Sequence, residues 1–156
     1  MPWVITAVVS WVVFYFLVDV SQLRRTIFGG IFTLALGSLV DWGGQELNFY
    51  KFYDVIIPWA GCSIFYQFGP IFVIGIIFTQ YLPRKKSLQI LNIFVVAFLY
   101  LSLERLILQT PVAEYRNWHL LASLTVNIGA FTVLTWFAQT FRLAPYYIKD
   151  VSFKDE

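Results

Sequence analysis

The sequence predicts an all-α, polytopic transmembrane bundle of about five helices, and three observations lead there. The chain has 156 residues, of which 59% are hydrophobic and 13% charged. Its mean hydropathy is +0.70. Its apolar residues fall into separate runs, each near the roughly 20 residues needed to cross about 30 Å of hydrocarbon. A water-soluble domain this small has too high a surface-to-volume ratio to bury such a composition, whereas lipid solvates an apolar outer face. The length allows one domain.

The first expected span covers about residues 2–20. It could be mistaken for a secretory signal, but no Lys or Arg precedes it and Arg24-Arg25 follow it, the reverse of a signal peptide's charge order. It therefore reads as a retained helix. The second span covers about 26–45 and is interrupted late by Asp41. The third lies in the longest uncharged run, residues 55–83; its helix is placed at about 62–82, with 55–61 at the interface. The fourth, about 88–110, carries Glu104 and Arg105 near its end, and the fifth covers about 117–141. Residues 142–156 form a tail.

Basic residues set the orientation, because cytoplasmic loops are enriched in them. Arg24, Arg25, Arg84, Lys85, Lys86, Arg142, Lys149 and Lys154 fall on one side, and only Lys51 and Arg116 on the other. The N-terminus is expected outside and the C-terminus in the cytoplasm. Trp3, Trp42, Trp59 and Trp118 fall near the expected outer ends, where amphipathic rings favour the headgroup region. Gly29-Gly30 and Gly37 invite close approach of another helix, and Gly69-Pro70 is expected to distort the third helix because Pro lacks an N–H.

The second and third spans faintly resemble the fourth and fifth. Ser38-Leu39 recurs as Ser102-Leu103, each followed closely by an acid. Tyr50-Lys51 recurs as Tyr115-Arg116, and a Phe-x-Gln pattern closes both units at Phe78 and Phe137. This suggests a two-fold internal repeat with its axis along the membrane normal.

Charges inside a bilayer are costly and call for a partner or a role. Asp41 and Glu104 both lie about 22–24 Å from the inner ends of their helices at 1.5 Å per residue, so they share a level. Arg105 follows Glu104 by about 100° around the helix; it is expected to pair with Asp41 or to snorkel outward. Gln67, Ser123 and Asn127 reach the same level, Ser38 and Ser102 lie about a turn below, and His119 and Tyr115 stand at the mouth. Two readings remain open: Asp41, Glu104 and Arg105 form a salt-bridged network joining two helices, or Asp41, Glu104, Arg105, Gln67, Asn127 and His119 line an outward pocket for a cation, a proton or a small polar molecule.

Other classes find little support. One His, one Met and one Cys, Cys62, supply neither a disulfide framework nor the usual zinc or haem ligand sets. No metalloprotease, hydrolase or phosphate-loop motif occurs, so no catalytic residue, metal or cofactor is expected. A net charge of +2 gives no reason to expect nucleic acid. The expected partners are the bilayer and either a second copy or a larger membrane complex. The expected role is binding of a small ligand or ion, or service as a complex subunit; a small oligomeric transporter or channel is the alternative.

Three stretches carry a resemblance: Asp41-Trp42-Gly43-Gly44 before an aromatic loop, Phe72 to Pro83 ending Thr-Gln-Tyr-Leu-Pro, and Leu103-Glu104 followed by Tyr115-Arg116-Asn117-Trp118. They are similar to a family of short, uncharacterised polytopic membrane proteins from endospore-forming Firmicutes, with Leu82 standing between a tyrosine and proline that the family pattern pairs. The resemblance spans about residues 26–142 and implies a bacterial cytoplasmic membrane location but no activity. Size and span count also resemble the five-helix tryptophan-rich sensory proteins, whose Trp-x-Pro-Pro loop is absent here.

Overall fold

Pro2, whose fixed φ suits a first helical turn, opens α1 at Pro2–Leu17 in the computed structural model, which describes residues 1–147. Asp19 then starts α2, Val20–Glu46, by accepting from the Ser21 amide at 2.9 Å, the Ser21 hydroxyl at 2.7 Å and Gln22 Nε2 at 2.8 Å. That cap satisfies donors the first turn would leave orphaned. It draws Arg24 and Arg25 into the helix, so α2 begins well before the expected residue 26. Asn48, left-handed at φ 60°, follows the helix end, a conformation Asn tolerates.

The third segment, Ile64–Gln80, is labelled α3. Residues Gln67–Ile71 form a π turn around Pro70: Pro offers no N–H, and the hydrogen bonding widens locally. Helices α4, Lys86–Leu108, and α5, Leu120–Thr140, complete the set. All five expected segments are helical. Three of them (α2, α4 and α5) are long and apolar enough to cross a membrane, while α1 and α3 are apolar but shorter. Lys149 and Lys154 lie outside the described residues.

The loops contain strands that hydropathy did not foretell. Strand β1, Tyr50–Phe52, pairs antiparallel with β4, Ala113–Tyr115, in the register Tyr50↔Tyr115, Lys51↔Glu114 and Phe52↔Ala113. Between them in sequence, β2, Pro58–Trp59, pairs with β3, Cys62–Ser63, around a two-residue turn with positive φ at Ala60 (46°) and Gly61 (80°). Both central residues of the tightest hairpins commonly adopt such angles.

Helix α2 packs closely along α3, and the glycines explain the distance. A Cβ on Gly29 would sit 2.0 Å from Thr79 Oγ1, and one on Gly75 would sit 2.4 Å from Thr33 Oγ1 and 2.8 Å from the Gly29 carbonyl. Small residues of this kind let helix backbones approach. Helix α4 packs along α5, and α2 meets α5, where Phe32 and Phe137 stack at 4.0 Å. At the strand-bearing end, Trp3, Cys62, Tyr66, Ile71, Ile107, Val112 and Ala113 form one core; at the other, Phe78, Leu82, Ile93, Ala97, Phe131, Leu134, Ala138, Leu143 and Ala144 form a second. Trp3 is only 1% exposed and donates to the Tyr53 carbonyl at 3.0 Å, so it anchors a core instead of joining an interfacial belt.

The two Phe-x-Gln segments brace the far end. Gln80 accepts from the Asp19 amide at 3.1 Å and donates to the Leu17 carbonyl at 3.2 Å. Gln139 donates to Gln89 at 2.8 Å, and Gln89 in turn donates to the Pro83 carbonyl at 2.8 Å.

Candidate functional site

Two carboxylates from two helices face one cavity. Asp41 near the end of α2 and Glu104 near the end of α4 both line it, together with Tyr50, Tyr66, Tyr100, Tyr115, Trp118, Ser123 and Asn127. The cavity lies between the two cores and takes wall residues from each, among them Trp3, Ile107, Phe131 and Leu134. Its volume of about 110 Å³ exceeds what a single water requires several times over.

Each acid is held by a tyrosine from the strand ladder and by a polar side chain of the next helix. Asp41 is buried, 9% exposed. Its Oδ2 accepts from Gln67 Nε2 at 2.6 Å, and Oδ1 lies 3.4 Å from the Tyr50 hydroxyl, which also donates to the Val40 carbonyl at 2.9 Å. Gln67 is fully buried on the π turn of α3 and completes a relay: Trp59 Nε1 donates to Ser38 Oγ at 3.1 Å, and Ser38 donates to Gln67 Oε1 at 3.3 Å. The wider π turn is a frequent device for aiming a side chain at a site.

Glu104 Oε1 accepts from the Tyr115 hydroxyl at 2.5 Å and from Ser123 at 2.8 Å, while Trp118 Nε1 donates to Ser123 Oγ at 2.7 Å. Both bonds to the carboxylate fall on Oε1. Asn127, one turn beyond Ser123, lies against Glu104 and its amide interacts with that carboxylate, although Nδ2 makes no hydrogen bond of ordinary geometry. Deeper in the cavity the hydroxyls of Tyr66 and Tyr100 meet at 2.9 Å.

The strand tyrosines are tuned by this setting. Burial pushes the Tyr115 hydroxyl well above the ordinary tyrosine range, and its bond to Glu104 adds to the effect. Burial likewise raises Tyr50, with the charges of Asp41 and Glu104 contributing. Both therefore keep their protons at neutral pH and donate them inward.

The fold brings some of the residues singled out in the sequence to one cavity and leaves others apart from it. Asp41, Glu104 and Asn127 line the cavity, and Gln67 supports it through Asp41. Arg105 does not line it: the residue is exposed and forms no ion pair among the described residues. Glu104 lines the cavity while Arg105, about 100° further round the helix, is exposed, so no salt-bridged network of Asp41, Glu104 and Arg105 forms among the described residues. His119 is also absent from the wall. Its Nδ1 accepts from the Ala122 amide at 3.0 Å and caps α5, the usual use of a polar residue before a first helical turn. Ser102 faces outward and bonds the Phe98 carbonyl at 2.9 Å.

Tyr50, Tyr66, Tyr100 and Trp118 were not anticipated as wall residues. The available signal was the paired Tyr-basic dipeptides of the two loops, which marked Tyr50 and Tyr115 as equivalents. Nothing local marked Tyr66 or Tyr100, since a tyrosine in an apolar helix reads equally well as core.

No described cluster of three His, Cys, Asp or Glu side chains is placed to hold a metal ion. No protein-family model, curated protein or solved structure matches this chain.

Proposed function

We propose that the chain is a non-enzymatic integral membrane protein that binds a small ligand in the Asp41–Glu104 cavity, with all five helices crossing the bilayer. The N-terminus and the strand ladder lie outside, the C-terminus inside. The observation that carries the binding role is that Asp41 and Glu104 share one cavity whose wall contains no Lys, Arg or His. A carboxylate retained at that depth without a cationic side chain is costly as structure alone. The wall comes from the helices and the strand ladder of a single chain, so binding requires no second copy.

Membrane insertion is supported by the outward faces of the helices. Val8, Val12 and Phe16 on α1 and Leu91, Phe94, Val95 and Phe98 on α4 are exposed, and apolar surface of that extent requires lipid or a partner. The shorter α1 and α3 reach across by local thinning and by interfacial anchoring of flanking residues.

The internal repeat is supported by the ladder register. A two-fold axis that exchanges antiparallel strands must pass between equivalent residues directly opposite each other. Tyr50 and Tyr115, matched in sequence, are such a pair. The units also correspond in chemistry: an acid on the first helix (Asp41, Glu104), a tyrosine on the strand, and a polar side chain on the second helix (Gln67, Ser123).

The test is thermal unfolding in lipid nanodiscs of the natural chain against Glu104→Gln. A binding role expects stability unchanged or increased, because the charge is kept for the ligand. A loss of more than about 3 kcal/mol, the scale of breaking a buried charge network, would identify Glu104 as structural and sink the proposal.

A further inference from the structure

We infer that the ligand is a small organic ammonium ion, held between Asp41 and Glu104 inside aromatic walls. The inference rests on reading the cavity as a binding site and specifies what it takes.

Charge gives the sign. Three carboxylates line the cavity and no basic side chain does; Glu114 is paired outward with Arg116 at 3.1 Å, which leaves Asp41 and Glu104 without a cationic partner, so a positively charged occupant supplies what the wall lacks. The positions of the existing donors leave room for it: both bonds to Glu104 fall on Oε1, and Tyr50 approaches Asp41 Oδ1 only at 3.4 Å. Gln67 fixes the other oxygen of Asp41 at 2.6 Å, which holds the carboxylate in place.

The wall distinguishes an organic cation from a metal. Calcium takes six to eight oxygen ligands and magnesium a near-ideal octahedron, and no three acidic, His or Cys side chains converge here among the described residues. Aromatic rings, in contrast, surround the acids: Tyr50, Tyr66, Tyr100, Tyr115 and Trp118. Ring faces attract an ammonium through their quadrupole, the more so when it is desolvated, and they accommodate the attached carbon atoms that a hydrated metal does not have. Asn127 lines the same cavity beside Glu104, and its Nδ2, which makes no hydrogen bond of ordinary geometry, can donate to an oxygen borne by the ligand beside its ammonium.

An ammonium group could come from a free amine or from a lipid headgroup such as phosphatidylethanolamine. The experiment uses the full chain in phosphatidylglycerol nanodiscs, which carry no ammonium. Tryptophan fluorescence and melting temperature are followed on titration with n-butylammonium chloride, with n-butanol, and with potassium chloride at matched ionic strength. The expected result is a saturable fluorescence change and rising melting temperature with butylammonium, about tenfold weaker for butanol and for Glu104→Gln. Repeating the titration in phosphatidylethanolamine nanodiscs separates the sources. A melting temperature already raised, with butylammonium competing poorly, identifies the headgroup; unchanged behaviour identifies a free amine. Equal responses to butanol and butylammonium would overturn the inference while leaving the binding cavity intact, as would no saturable response in a chain whose Glu104→Gln variant remains folded. If Glu104→Gln does not fold, the ammonium–alcohol comparison on the natural chain still decides.

Discussion

Tyr50 and Tyr115 stand directly opposite each other across the β1–β4 ladder, and each directs its hydroxyl toward a different acid of the cavity, buried Asp41 or half-buried Glu104. One short ladder outside the helices thus fixes the polar ends of two helices at once. The two halves are not equal: Tyr115 reaches Glu104 at 2.5 Å, whereas Tyr50 lies 3.4 Å from Asp41 and has the Val40 carbonyl at 2.9 Å.

Tyr115→Phe is therefore expected to destabilise the protein by about 1 kcal/mol, the net worth of a hydrogen bond to a half-buried acceptor that keeps Ser123 as its other donor. Tyr50→Phe is expected to cost less. Chemical unfolding of both variants in the same detergent checks the order, and a larger effect at Tyr50 would contradict the geometry.

The same hydroxyl predicts an alkaline limb. The Tyr115 pKa is raised in the folded state, mainly by burial, so its contribution to stability is complete below the unfolded value of about 10. That contribution is lost as pH rises toward the folded value, because the unfolded chain releases the proton first. Melting temperatures between pH 8 and 11 should fall more steeply for the natural chain than for Tyr115→Phe; parallel curves would refute the assignment.

Gly75→Val tests the α2–α3 contact. The added Cβ would lie 2.4 Å from Thr33 Oγ1 and 2.8 Å from the Gly29 carbonyl, and a backbone carbonyl does not move aside cheaply. Loss of folded yield, or destabilisation by about 1–3 kcal/mol or more, is expected. Gly129→Ala is the control: nothing lies within 4 Å of its added Cβ, and the helix should gain up to about 1 kcal/mol. Size-exclusion profiles and melting curves distinguish the pair.

Arg105→Gln should change stability by no more than about 0.5 kcal/mol, as for exposed positions away from special features. Arg105 is exposed, and no salt bridge to it occurs among the described residues. A loss as large as that from Tyr115→Phe would mean that Arg105 has a partner the fold does not show.

Orientation is open to direct labelling. In a Cys62→Ala background, Lys51→Cys should react with an impermeant thiol reagent added to intact cells, and Lys86→Cys only after permeabilisation. The reverse pattern would invert the proposed topology, and labelling of both from outside would mean that the chain between them does not cross as proposed.

Local composition alone determined the helix inventory, because hydropathy is a property of each segment and every expected segment became a helix. The shared level of Asp41 and Glu104 was legible for the same reason: rise per residue is fixed once a helix is given. Spacing also placed Gly29 and Gly30 at a close contact and the irregularity at Pro70. Tertiary structure alone decided which way each side chain faced. Rotation of α4 about its axis put Glu104 inward and Arg105 outward, and hydropathy is blind to such a rotation when both neighbouring faces are apolar. The path of the loops brought Tyr50 across from Tyr115, a pairing set by strand register between residues far apart in sequence. His119 was diverted to a helix cap by the position of one amide, Ala122. The acids could be found from the sequence, but their partners depend on how the helices and loops are turned toward one another.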